Sequence, residues 1–134
     1  IYVMDSLKNR YQGKLRKAEF WLTRMIDKFE EAKNLGVAEA TLNQVREKHF
    51  EAHIHWEWWT ASNGGHFHNP DLATDSINKG IVASQDGIKI LDDAMAARRK
   101  ELASQGGAQP AAAPPAKSSA FPVAPSPLAT LTKQ

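Results

Sequence analysis

Five histidines lie between positions 49 and 68, and they are the only concentrated chemistry in this 134-residue chain. His49 and His53 are four apart, the helical spacing of a two-imidazole metal site. No carboxylate completes a zinc motif, since the segment reads H-F-E-A-H and not H-E-x-x-H. Taken alone, a structural histidine pair explains the spacing better. His53 and His55 would point about 160° apart on a helix and cannot act together. His66 and His68 fall in Gly64-Gly65-His66-Phe67-His68-Asn69-Pro70 and read as surface imidazoles unless something nearby gives them a partner. Trp56, Trp58 and Trp59 supply that context. Three indoles in four residues cannot all face one helical seam, so at least one presents its face elsewhere, to a flat apolar partner or to solvent. Glu57 is the one acid among them and reads as a solvated or hydrogen-bonded helix residue. There is no glycine-rich phosphate loop, no G-x-S-x-G and no cysteine nucleophile.

These residues must be positioned by helices. Leu15, Ala18, Leu22, Met25, Phe29 and Ala32 recur at alternating three- and four-residue steps, with Leu7 and Tyr11 extending the stripe backwards. Asp5 or Ser6 is the predicted N-cap, and Asn34-Leu35-Gly36 the stop. Leu42, Val45, His49, Ala52, Trp56 and Trp59 repeat the pattern, as do Ile77, Ile81, Ser84, Ile88, Leu91, Met95, Arg98 and Leu102. Three such seams predict long helices packed at a shallow angle. No stretch sustains the strand period, so the predicted fold is all-α: three long helices in an antiparallel bundle or hairpin. Gly64 and Gly65 break the chain after the aromatic run. Asn69, Pro70 and Asp71 then form a strong helix start, with a cap, a fixed φ and an acid on the positive end of the dipole. His68 is thereby aimed from the last loop residue before a rigid element. Gly80 and Gly87 lie on one face of the third helix, where they mark either close approach by a neighbour or tolerated weak spots.

Composition narrows the function. Residues 1–103 form the predicted helical region, and 104–134 a disordered Ala/Pro/Ser-rich tail that holds six of the seven prolines. Seventeen basic and fifteen acidic residues give +2, and that excess is Lys117 and Lys133 in the tail. A neutral body is a poor nucleic-acid binder. No apolar run approaches the ~20 residues of a membrane span. With no cysteine, a disulfide scaffold, a thiolate zinc site and covalent c-type haem attachment within the chain are all excluded. Ile1-Tyr2-Val3-Met4 has neither initiator methionine nor signal-peptide features, and the chain is read as part of something longer.

The run from Trp56-Glu57 through Ala61-Ser62-Asn63-Gly64-Gly65-His66-Phe67-His68-Asn69-Pro70-Asp71 resembles the C-terminal part of the pentahaem, ammonia-forming cytochrome c nitrite reductases. In that family a long helix ends in tryptophan and an acid, and a histidine followed shortly by proline opens another long helix. The order of elements agrees over roughly residues 5–103. The resemblance implies that His68 is a distal axial ligand to a bis-histidine haem, with Phe67 and Trp56 near porphyrin edges. It implies haem c attached to sequence outside this chain, a calcium site also outside it, a homodimer built on the long helices, and a periplasmic enzyme that reduces nitrite to ammonia with six electrons. A cytochrome or quinol dehydrogenase would be its redox partner. Trp58 and Trp59 stand where smaller or aliphatic residues are expected, Ile54 where an aromatic is common, and the Pro/Ala tail is not a family feature. The alternative is a non-enzymatic helical module that self-associates through its seams and binds haem or metal weakly.

Overall fold

The structure, a computed structural model, describes residues 2–62 and 64–105; the predicted tail from 106 onward lies outside them. Four helices follow in order: α1 Tyr2–Leu35, α2 Glu39–Ala61, the single turn α3 Gly65–His68, and α4 Pro70–Gln105. No strand occurs among the described residues. The all-α prediction holds.

The stop of α1 follows its residues closely. Gly36 adopts φ 78°, which an L side chain resists. The Val37 N–H donates to the Ala32 carbonyl at 3.0 Å and the Gly36 N–H to Lys33 at 3.1 Å, so two free helix-end acceptors are satisfied. Val37 is buried beneath this turn. At the other end the expectation fails. Asp5 and Ser6 lie inside α1, which already begins at Tyr2.

Contacts between the helices give the register. Lys14 Nζ donates to Asn78 Oδ1 at 2.9 Å, and Lys28 pairs with Asp92, both 64 residues apart. Arg99 reaches Glu31 at 2.6 Å further along. Both partners advance together along the pairs, so α1 and α4 run parallel, side by side. By contrast, His55 meets Ser76, and Gly80 lies against Ala52, so α2 runs antiparallel to α4. The long helix α4 packs extensively on both others, while α1 and α2 touch each other less. The interior divides into two clusters. One is built on Leu22, Met25, Ala32, Leu42, Val45, Leu91 and Met95; the other, toward α3, on Ala18, Trp59, Ala73, Ile77 and Ile81.

The three predicted seams are the ones that are buried, but they face one another within the chain. Ile81 is 6% exposed and Ile77 fully buried, with Ile88 packed against the first cluster. The apolar surface of these seams is thus covered within the chain itself. The third seam also stops short of its predicted end. Arg98 is half-buried with its guanidinium over Gly36, whereas Leu102 is exposed. Since α1 ends at Leu35, the last turns of α4 have no neighbour among the described residues to bury them. The same offset leaves Tyr2, Val3 and Met4 exposed before α4 begins.

The two glycines of α4 mark close approach. A Cβ on Gly80 would sit 3.0 Å from His55 Cβ and 3.2 Å from the Ala52 carbonyl oxygen. One on Gly87 would run into Met25 Sδ, with Lys48 Cβ 3.4 Å away. The neighbours are helices, not a flat ligand. Ser84, fully buried, is satisfied by donating to the Gly80 carbonyl at 3.0 Å.

Candidate functional site

The aromatic end of α2 sorts its three tryptophans onto different surfaces. Trp59 is buried in the cluster nearest α3, and Tyr11 donates its hydroxyl to the Trp59 carbonyl, tying α1 to the end of α2. Trp56 is half-buried and packs against both core clusters, with His53 as its ring neighbour at 5.8 Å. Trp58 is 68% exposed. One indole does present its face outward, as the spacing required. The helix then closes with two side chains folded back on it: Thr60 Oγ1 donates to the Trp56 carbonyl at 2.8 Å and Ser62 Oγ to that of Trp58 at 2.6 Å.

The histidine loop is tighter than its sequence suggested. Gly64 takes φ 80°, and α3 starts immediately after it. The Phe67 and His68 N–H groups both donate to the Gly64 carbonyl, at 2.8 and 3.0 Å. The His68 ring consequently lies back over Gly64, where a Cβ would be 3.1 Å from Cδ2 and 3.4 Å from Nε2. Gly64 is needed twice, for its backbone angle and for the space the imidazole occupies. His68 thus ends a one-turn helix and is not a loop residue, and its side chain is exposed. Phe67, 53% exposed, meets the His68 ring edge-on at 5.6 Å and 77°. Asn69 follows as the cap. Its Oδ1 accepts from the Leu72 N–H at 3.1 Å and its carbonyl from Ala73 at 3.1 Å, while Pro70 opens α4 as predicted. The structure brings His68 and Phe67 together and leaves Trp56 in the packing between the clusters. The side chain of His66 is outside the described residues.

The other histidines separate as helix geometry demands. His55 points toward α4, its Nδ1 2.8 Å from Ser76 Oγ. His49 and His53 share the opposite face, rings 5.7 Å apart and tilted by 31°. Partial burial, reinforced by the neighbouring His53, lowers the pKa of His49 below its usual value. Glu57 Oε2 lies 3.4 Å from His53 Nδ1, so the acid of the aromatic run is a histidine's partner. Glu57 is thus the solvated, partnered helix residue its sequence suggested, and its place four residues after His53 identifies the partner. Among the described residues no three His, Cys, Asp or Glu side chains gather as a metal site.

Haem c, which the resemblance implies, can be tested against these residues. Covalent attachment does not fit, since the chain has no cysteine. Axial ligation does. An exposed imidazole held between a positive-φ glycine and a capped helix start is a defined nitrogen donor with open space before it.

Comparison with known proteins agrees on the haem connection. A family model described as cytochrome c552 matches residues 3–121, most of the chain. No curated protein matches it. Among the described residues no helix is long and apolar enough to cross a membrane.

Proposed function

The chain belongs to the cytochrome c552 family, and from that premise we propose that it is the helical C-terminal part of a multihaem, ammonia-forming cytochrome c nitrite reductase. In this reading His68 is a distal axial ligand to a haem whose attachment cysteines lie in sequence outside the chain. The observation that carries the assignment is the geometry of His68: an exposed ring backed onto Gly64 and followed at once by the Asn69 cap of α4. A ligand imidazole has to be aimed before the iron arrives, because each side chain ordered on binding costs entropy. Phe67 would pack at the porphyrin edge. Trp56 supports the site from behind, by fixing the end of α2 between the two core clusters. When bound, the haem would supply one-electron transfer through a low-spin, bis-imidazole iron. What the chain's own residues do is hold a nitrogen donor and exclude water from one ring edge.

The remaining features of the reading follow from the same premise. The catalytic haem, the nitrite-binding groups and the calcium ligands belong to sequence outside the chain. The enzyme is periplasmic and draws its six electrons from a cytochrome or quinol dehydrogenase. The homodimer is formed by outer faces of the long helices, for the inner seams are occupied. On α2, Phe50, Ile54 and Trp58 are exposed at four-residue spacing and offer such a face.

The test is His68→Ala in the haem-loaded protein. Loss of a strong-field ligand converts one low-spin haem to high spin, a change read in the Soret band and by electron paramagnetic resonance. An unchanged haem spectrum removes His68 from the iron.

A further inference from the structure

The geometry points to a second ligand site, independent of the haem reading: His49 and His53 form a two-imidazole chelate for a divalent transition-metal ion, with Glu57 as its outer carboxylate. Spacing alone would not distinguish this pair from a structural one. Three observations in the structure do.

The first is the disposition of the rings, 5.7 Å between centroids and only 31° from parallel. They stand side by side on one backbone, so an ion between them requires side-chain rotation and no movement of the helix. The second is Glu57. With its Oε2 3.4 Å from His53 Nδ1, the carboxylate favours the tautomer that carries the proton on Nδ1 and leaves the Nε2 lone pair free. Carboxylate–histidine–metal is the usual arrangement around a bound ion. The third is the environment. His49 lines a groove of about 250 Å³ with Met25, Ile26, Phe29, Val45 and Arg46, while His53 remains partly open to water. The one cation in that groove, Arg46, is already engaged. Its guanidinium lies over the Phe29 ring at 5.2 Å and bonds Glu39 and Asn43. The lowered pKa of His49 leaves its imidazole neutral, as a ligand must be, around pH 7.

No third protein ligand is gathered there among the described residues, so water completes the coordination. Two imidazoles and water suit Cu²⁺, Ni²⁺ and Zn²⁺ and give no advantage to Ca²⁺ or Mg²⁺, which take oxygen ligands. The order of affinity for a site of this type places Cu²⁺ above Ni²⁺ and Zn²⁺.

Titration of the purified protein with Cu²⁺, and separately with Zn²⁺, by calorimetry and by thermal melting tests the proposal. One equivalent of Cu²⁺ is expected to bind and to raise the melting temperature, because the helix holds the two imidazoles together and the ion binds the folded pair more tightly than the unfolded chain. His49→Ala and His53→Ala should each weaken binding by tenfold or more and remove the thermal shift. Glu57→Gln should weaken it by about tenfold, the usual cost of losing an outer-sphere partner. His68→Ala should leave it unchanged. Far-UV circular dichroism establishes that each variant is folded, and His53→Gln repeats the test with a side chain of similar reach. The proposal is overturned if no stoichiometric binding occurs, if binding survives either single histidine substitution, or if it is lost with His68.

Discussion

Gly87 allows the packing of this bundle to be tested by a change of sign. Glycine inside a helix costs about 1 kcal/mol relative to alanine, so Gly87→Ala would stabilise α4 if the site were merely a weak spot. The structure predicts otherwise. The new methyl group would collide with Met25 Sδ and approach Met25 Cγ at 3.3 Å and Lys48 Cβ at 3.4 Å, so the 1% exposed Met25 side chain must repack. Overpacking of this kind costs about 1–3 kcal/mol. The net effect of Gly87→Ala is therefore a destabilisation of about 1 kcal/mol, roughly a 4–8 °C fall in melting temperature for a domain of this size. In a Met25→Ala background, itself destabilised by about 2–5 kcal/mol, the obstacle is gone. Gly87→Ala should then stabilise by about 1 kcal/mol through helix propensity. The coupling between the two sites is about 2 kcal/mol, within the range of residues in direct contact. Urea denaturation of the four proteins, with unchanged m-values, measures it. Equal stabilisation by Gly87→Ala in both backgrounds would refute the close approach of α1 to α4. Gly80 offers no such rescue, because its neighbours are the Ala52 carbonyl and the His55 Cβ, which cannot rotate away.

Two further outcomes follow. Gly64→Ala is expected to cost about 1–2 kcal/mol for its left-handed backbone and, by displacing the His68 ring 3.1 Å away, to alter the haem spectrum as well as the melting temperature; a loss of stability with an unaltered spectrum would separate the two. The lowered pKa of His49 means that the unfolded chain binds more protons than the folded one near and below the ordinary value of 6.5. Stability from this group is complete above that pH and declines as the pH falls through the folded value, so His49→Gln should flatten the decline between neutral and mildly acidic pH in urea titrations.

Much of this architecture could be read from local signals. The seams of Leu22, Val45 and Ile77 were legible because each helix buries one stripe, and the Asn69-Pro70 start because capping uses only neighbouring residues. What sequence could not give is the offset between helices. The parallel register of α1 and α4 leaves Tyr2–Met4 and Leu102 exposed among the described residues, and no period within one helix reports where its neighbour stops. For the same reason the seams could not be assigned to contacts within the chain or between copies. Of the candidate site, the loop pattern alone read the histidines as surface imidazoles, and His68 and Phe67 were singled out by the family resemblance. The fold of His68 back onto Gly64 has no local sequence signal, since it depends on α3 being a single turn. Trp56 was named through the same resemblance, but its position between the clusters is set by three helices at once.

The central claim, that this chain completes a multihaem cytochrome, is tested most directly by the intact mass and haem absorption spectrum of the protein purified from its own source. The account predicts a mass well above 14.8 kDa carrying several covalent haems. A protein of 14.8 kDa without haem would contradict it.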